Sequence, residues 1–404
     1  MNNKTKIVIV GGGFGGIYTA KNLLKFFKRD EVNITLINKS NYFLFTPLLH
    51  EVATGGLTPD TIIESLREVF RNTPIKFVED LVTEVDQSTK VIKTSTQSFN
   101  YDYLVISSGA ETNYFGTPGA KENSFPLKNL PDAVALRNHI IATCEKAVLT
   151  HDKSLLKCAI VGAGATGVEL AAELQEYMEH TICTYYRNSE FTKQDIRVNL
   201  ITATPEIIAQ FPAKMRTIAH DELIKKGINI IPNTIVTQVE EGKITLKDGT
   251  SILAHTIVWV AGVTPILSNI KGIVAGPKGR MEVNEFLQTL NDTSVFALGD
   301  AGGSFPMLAQ IAVQQGRSVA YNIHALVSNK PLEKFSTNIK GLLLSIGQWY
   351  AIGNFGKITL RGPLMWWLWR TIYLFNFHSW KKRFEIAVEW TINLFYPRDI
   401  TYIK

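Results

Sequence analysis

Two groups of glycines carry the chemistry most easily read in this chain. Gly11, Gly13 and Gly16 stand at G-x-G-x-x-G spacing directly after the apolar residues 7–10. Gly162, Gly164 and Gly167 repeat that spacing after residues 159–161. Such a turn binds a diphosphate. Its first glycine allows a tight turn, its second lets backbone approach the phosphates, and its third lets the next helix pack closely on the strand. The helix N-terminus then offers N–H groups and a partial positive charge to the anion. Each glycine group therefore has to lie between a buried parallel strand and a helix, and the flanking residues supply both. One such motif is a weak signal. Two, separated by 151 residues from Gly11 to Gly162, each open a stretch of domain length. Two dinucleotides are expected, a flavin and a nicotinamide.

Other candidates fall where these folds place ligands. The strand expected over 32–38 ends at Asn38 and Lys39, where a dinucleotide fold holds its adenosine ribose. An acid is usual there; Asn38 offers an uncharged hydrogen bond, and Lys39 faces a phosphate or solvent. The apolar, aromatic loop 41–60 sets Thr46, Pro47 and Leu48 against a flat ring or simply in the core. A strand over 103–107 leads to Gly109, where backbone can approach a ligand. In the second half, the strand after 196 ends near Thr202. No acid stands there, and no Lys, Arg or His follows at once, so neither NADH nor NADPH is selected. Gly262, after another buried strand, again permits backbone near a ring. Asp300, just beyond the strand 295–298, is placed to bind a flavin ribitol or to cap a helix. Gln310 and Gln314 share a face of the helix 306–323; they reach a carbonyl-bearing ligand or stand in solvent. Residues 175–195 read as a polar, tyrosine-rich excursion.

The 404 residues allow two or three domains, and 45% hydrophobic with 19% charged content is globular. Cys144, Cys158 and Cys183 form no C-x-x-C, which argues against a redox dithiol. Cys158 is expected in the core. No signal peptide and no run of 18 apolar residues is read, so no spanning helix is expected. No metal-ligand cluster is found. The net charge of +6 is concentrated at the end, with eight Lys/Arg against three Asp/Glu from residue 357 onward. Six of the seven tryptophans lie between Trp349 and Trp390. Residues 365–396 are helix-length, aromatic and basic, which suits an anionic membrane surface. A dimer interface or a docked helix pair is the alternative. Nucleic acid is not expected, because the aromatics cluster instead of interleaving with basic residues.

Together these stretches resemble the type II NADH dehydrogenases, monotopic FAD-dependent NADH:quinone oxidoreductases of the pyridine nucleotide-disulphide oxidoreductase superfamily. The resemblance is carried by VIVGGGFGGI, LLHEVATGGL, GAETNYFGTPGA with FPLKNLPDAVALRNHI, IVGAGATGVELAAEL, WVAGV, FALGDAG, AQIAVQQG and the aromatic-basic tail. It implies an α/β fold with two Rossmann-like domains. These would be an FAD domain over 1–118 and 283–335, an NAD(P)H domain over 119–282, and an amphipathic membrane-association region over 336–404. FAD would be held by Gly11, Gly12, Gly13, Phe14, Gly15, Gly16, Asn38, Lys39, Thr46, Pro47, Val82, Ser108, Gly109, Asp300, Ala309 and Gln310. NAD(P)H would be held by Gly162, Gly164, Ala165, Thr166, Gly167, Glu169, Thr202, Ala261 and Gly262.

The resemblance also implies roles. Gln310 and Gln314 would line a quinone pocket. Glu169 would stand between nicotinamide and quinone to orient or relay protons, where the bland reading is a charge at a helix N-terminus. NADH would pass a hydride to FAD, and the flavin would reduce a membrane quinone by two electrons, without proton pumping. The enzyme would be peripheral, on the cytoplasmic side of the cell membrane, with a homodimer as one arrangement. The departure is Thr202, where NADH-preferring members have an acid. Two other readings share the motifs. A sulfide:quinone oxidoreductase needs paired reactive cysteines, and a flavin-bound NAD(P)H regulatory protein would not turn over quinone.

Overall fold

In a computed structural model, residues 4–187, 189, 191–267, 270–276 and 279–402 are described. The outermost residues of the 1–118 and 336–404 spans lie outside these. The chain divides into two compact units. The first comprises Met1–Phe43, Glu64–Glu111 and Thr264–Ile339; the second comprises Leu44–Ile63, Thr112–Val263 and Lys340–Lys404.

The first unit is built on a five-stranded parallel sheet, in the order Val295–Ala297, Tyr103–Ile106, Thr5–Val10, Val32–Asn38, Lys76–Glu79. Ile7, Val8, Ile9 and Val10 are all buried, which is why this strand reads as an unbroken apolar run. The register sets Val10 beside both Ile37 and Ile106, so three strands end at one edge. The chain turns there, at Gly11, into the helix Phe14–Phe26. That helix lies close against Ala309–Val327 because Gly316 has no side chain; a Cβ there would stand 2.9 Å from the Gly15 carbonyl oxygen.

The second unit repeats the plan with a four-stranded parallel sheet, in the order Asn229–Ile231, Arg197–Ile201, Lys157–Val161, Thr256–Trp259. Val161 lies beside Ile201 and Trp259, and Gly162 turns the chain into the helix Ala165–Glu176. The C-terminal part adds an antiparallel meander, Leu342–Ser345, Ala351–Phe355 and Ile358–Gly362, then helices Pro363–Phe375 and Trp380–Ile392.

Two expectations are corrected. Residues 175–195 do not leave the helix at once. It continues as a π-helical turn, Tyr177–Ile182, and a short turn, Cys183–Tyr185, with Gln175, Glu176, Tyr177 and Thr181 buried. Polarity misleads here because buried polar groups find partners along this stretch: the Gln175 amide N–H donates to Glu179 at 2.7 Å, and Glu176 pairs with Lys226. The tail is also not one aromatic surface. Its two helices break at residues 376–379, and Trp366, Trp369, Phe377 and Trp390 are core residues of the second unit.

Candidate dinucleotide sites and a buried carboxylate ladder

The two glycine turns have matching geometry. Gly11 has φ +104°, and a Cβ on it would lie 2.1 Å from the Ser107 carbonyl oxygen. Gly162 has φ +111°, and a Cβ on it would lie 2.5 Å from the Ala261 nitrogen. A Cβ on Gly16 would lie 1.9 Å from the Gly11 carbonyl oxygen, and one on Gly167 would lie 1.9 Å from that of Gly162. Gly13 and Gly164 are the reverse: a Cβ on either would meet nothing within 4 Å. The helix that starts after each of these two has no side-chain cap. Open space beside bare backbone, at an uncapped helix N-terminus, fits a diphosphate at both places.

Around the first turn, Asn38 accepts from the Gly12 N–H at 2.8 Å and donates its own amide to Ser40. It braces the turn from the end of the next strand. Lys39 is exposed beside it, and Val82 is buried in a separate small sheet of this unit. Gly15 faces Leu298 and the Ser107 hydroxyl. Ser108 donates to the Ile266 carbonyl at 3.1 Å, and Gly109 has φ +77° with open space at its Cβ position. Asp300 lies in the turn Gly299–Ala301. Ala309 and Gln310 begin the helix Ala309–Val327. One turn on, Gln314 donates to the Asn338 carbonyl at 2.8 Å and accepts from its N–H at 3.0 Å. Thr46 and Pro47 belong to the second unit, in the turn Thr46–Leu48.

In the second unit, Ala165 and Thr166 form the first turn of the glycine helix, and Ala261 is exposed where it closes over Gly162. The Gly262 carbonyl accepts from Asn113, and the Phe115 ring fills the space a Cβ would need. Thr202 is buried, its hydroxyl 2.8 Å from that of Thr204. Thr204 donates to the Glu206 carbonyl, and the Glu206 carboxylate holds Arg216 at 2.9 Å.

Below this turn the glycine helix carries three buried carboxyls: Glu169, then Glu173 and Glu176 four and seven residues on, along one face. Glu169 accepts from the Ser345 N–H at 3.1 Å. Glu173 pairs with Arg398, and Glu176 pairs with Lys226 and accepts from the Gln348 N–H. A fourth carboxyl, Glu51 on the helix Leu49–Ala53, accepts from the Trp390 indole N–H at 2.6 Å. Arg370 stacks 3.7 Å from the Trp366 ring and 4.7 Å from that of Trp390. Burial pushes Glu169 up to about 8 and Glu51 up to about 7, the latter against the pull of Arg370. Burial raises Glu173 most strongly, but Arg398, through its charge and its hydrogen bond, together with the other basic groups around it leaves that carboxyl lowered. Burial pushes His50 down to about 4, so it is neutral at pH 7.

Residues 5–316 match the family model described as pyridine nucleotide-disulphide oxidoreductase, and residues 339–399 match the NDH2 C-terminal domain. The type II NADH:quinone oxidoreductase of Haemophilus influenzae is 30% identical, over 92% of this chain and 93% of its own length. Its counterpart Ndh of Mycobacterium tuberculosis is 31% identical, over 97% and 89%. The chain belongs to the type II NADH:quinone oxidoreductases. Its fold is that of NDH2 from Plasmodium falciparum, solved with NADH, at a TM-score of 0.90, 20% identity and coverage of 99% and 100%. The sulfide:quinone oxidoreductase of Aquifex aeolicus shares the fold less closely, at 0.77, 21% identity and coverage of 97% and 95%.

Within this family the cysteines set the chain apart from thiol chemistry. All three are free; burial pushes the Cys158 thiol up to about 12, and raises those of Cys144 and Cys183. Reading the sequence alone missed Glu51, Glu173, Glu176, Gln315, Arg370 and Arg398. Gln315 is fully buried and accepts from the Gly299 N–H at 2.8 Å, so it anchors the turn that carries Asp300. Its signal was a Gln on the apolar face of a helix. Glu173 and Glu176 were signalled by their spacing from Glu169. Arg398 had no signal, being 225 residues from Glu173.

Proposed function

We infer that this chain oxidises NAD(P)H and reduces a membrane quinone by way of bound FAD. The observation that carries the reading is the pair of open glycine turns, which offers one diphosphate cradle for a flavin and one for a donor nucleotide. FAD, when bound, supplies a two-electron acceptor that takes a hydride and passes electrons on. Gly11, Gly13 and Gly16 would hold its diphosphate, with Asn38 and Lys39 toward the ribose, Val82 toward the adenine and Asp300 toward the ribitol. Residues 1–118 and 283–335 would make up this FAD domain and 119–282 the NAD(P)H domain. Ala309 and Gln310 would approach the ring. Gln314, held at both ends of its amide, would form a fixed wall of the quinone pocket beside Gln310. Gly162, Gly164 and Gly167 would hold the donor. The overall reaction turns NADH, one proton and a quinone into NAD⁺ and a quinol, so one proton must be supplied besides the hydride. Glu169, protonated at neutral pH, is suited to hold it at its carboxyl.

The enzyme would lie on the cytoplasmic side of the cell membrane as a peripheral protein. Among the described residues no helix is long and apolar enough to cross a membrane. Leu364, Trp367, Leu368 and Phe375 on one tail helix, and Trp380, Phe384, Val388 and Ile392 on the other, are exposed. Aromatic groups of this kind seat at the headgroup level. Of the three adjacent cations, Lys382 is engaged with Glu385 and the Asp60 carbonyl and Arg383 with the Phe375 and Phe377 carbonyls, which leaves the exposed Lys381 to face an anionic surface. The double variant Trp380→Ser/Phe384→Ser should leave sedimenting lipid vesicles while keeping FAD. If it stays bound, the aromatic face is not the anchor; a change in oligomeric state would make that face a homodimer contact.

The test of the activity is an anaerobic flavin spectrum of the FAD-bound protein. NADH or NADPH in parallel cuvettes should bleach the flavin band, and a soluble quinone should restore it. Bleaching by both nucleotides would follow from the uncharged Thr202; bleaching by neither would overturn the assignment of the second turn.

A further inference from the structure

The carboxylate ladder is a closed charge system inside the second unit. Its carboxyls are Glu51, Glu169, Glu173 and Glu176, each less than a tenth exposed. The cations that face them are Arg370 from the helix Pro363–Phe375, Arg398 from the last residues of the tail, and Lys226 at the end of the helix Ala213–Lys225. Among the described residues the other buried groups packed here carry no net charge; Glu179, further along the helix, is half-buried. His50 is neutral, Tyr373 is a half-buried residue whose phenol is raised by desolvation, and Arg137 from the helix Leu130–Thr150 is matched by Asp399 at 2.6 Å. Four carboxyls therefore meet three cations. A buried, uncompensated charge is costly, and a titratable group answers it by taking up a proton.

The pairing says where that proton goes. Glu173 and Glu176 each touch a cation, although burial and Glu173 still raise Glu176 against the pull of Lys226. Among the described residues Glu169 accepts from the Ser345 N–H and touches no cation. Glu51 has the Trp390 indole, and Arg370, the cation that acts on it most strongly, lies between the Trp366 and Trp390 rings with Nε and Nη1 unmatched by any hydrogen-bond partner among the described residues. We propose that Glu169 shares a single proton with Glu51, and that Glu51 and Arg398 act as positioning residues that keep it there. Arg398 does so by neutralising Glu173, the carboxyl one turn from Glu169. Glu51 does so as the second negative group, whose charge disfavours ionisation of Glu169. The C-terminal segment then sets the protonation state of the glycine helix as well as packing on it. That count of protons does not depend on the reaction. Its use in turnover rests on the quinone-reductase reading, whose stoichiometry consumes one proton beyond the hydride.

The test is infrared spectroscopy of the full-length, FAD-bound protein in H₂O and D₂O, titrated across neutral pH. Wild type should show the C=O stretch of one buried protonated carboxyl. Glu169→Gln and Glu51→Gln should each abolish it below neutrality or move its titration down by about one pH unit or more, because three carboxyls then meet three cations. Arg398→Met should add a second protonated carboxyl, and Arg398→Lys should restore the wild-type count. No such band in wild type, or a band unmoved in Glu51→Gln, overturns the proposal, and Glu51→Gln retains an acceptor for Trp390 if the arginine variant does not fold. The pH profile of quinone reduction separates the two layers. Its alkaline limb should shift to lower pH in Glu51→Gln. The expected infrared result with an unshifted profile would leave the proton count in place and remove Glu169 from the reaction.

Discussion

The helices that follow the two glycine turns begin alike and then diverge. Both start at a glycine with extended backbone, φ −84° at Gly13 and −72° at Gly164, and in both that glycine's carbonyl accepts the first helical N–H, from Ile17 and Val168, at 3.0 Å. The first helix then buries Ile17, Thr19, Ala20, Asn22 and Leu23. The second buries Glu169, Glu173 and Glu176 among alanines and leucines. The turn is set by steric limits that any diphosphate site must meet, so it repeats. What lies one helical turn further is free to differ, and only the second helix places ionisable groups in the core. The first turn is thereby equipped to hold a ligand, and the second to hold a ligand and a proton.

The largest effect expected on this comparison is at the shared feature. Gly16→Ala and Gly167→Ala both drive a Cβ to 1.9 Å from a carbonyl oxygen, closer than any real contact, so each helix must move off its strand. Gly16→Ala should strip FAD and the flavin absorbance with it. Gly167→Ala should retain FAD but lose bleaching by NADH, with at least a tenfold fall in kcat/KM, about 1.4 kcal/mol or more. Equal loss of FAD in both variants would mean that the two turns do not serve separate nucleotides.

Much of this was legible from local rules. The glycine spacings, the apolar strands before them and the placing of Asp300, Gln310 and Gln314 all depend on neighbours a few residues away. The strand Val32–Asn38 was expected over the same residues. The ladder was not legible, although Glu169, Glu173 and Glu176 advertise a common face, because a carboxyl face is by default a solvated one. What buries it is Arg398 and Arg370, brought in from the far end of the chain, and no local pattern announces such a pairing. The tail misled for the same reason. Trp366, Trp369 and Trp390 look like Trp367 and Trp380 in sequence, yet the first three are core and the last two are exposed. Of Lys381, Lys382 and Arg383, three basic residues that suit anionic lipid in sequence, Lys382 and Arg383 are engaged with carboxylate and carbonyl oxygens of the protein itself, and Lys381 is exposed.

A smaller effect should separate the two helices by their pH dependence. Glu169 titrates near 4.5 in an unfolded chain and is pushed up to about 8 in the fold, chiefly by burial. Between those values the folded protein keeps a proton that the unfolded chain has released, so stability falls as pH rises through that window and levels off above it. The slope is at most about 1.4 kcal/mol per pH unit for one group, which accumulates to a few kcal/mol. With one proton shared between them, Glu51, pushed up to about 7, and Glu169 together contribute the slope of one group. Glu173, lowered by Arg398, works the other way: its contribution is present above the unfolded value and is lost as pH falls below it, outside this window. Chemical denaturation of the FAD-bound protein should therefore show stability declining from about pH 5 to pH 8, and Glu169→Gln should flatten most of that decline. Substitution of Asn22, buried at the matching depth of the first helix, should leave the slope as it is, since that helix buries no carboxyl. A decline that survives Glu169→Gln unchanged would place the titrating group elsewhere and erase the difference drawn between the two helices.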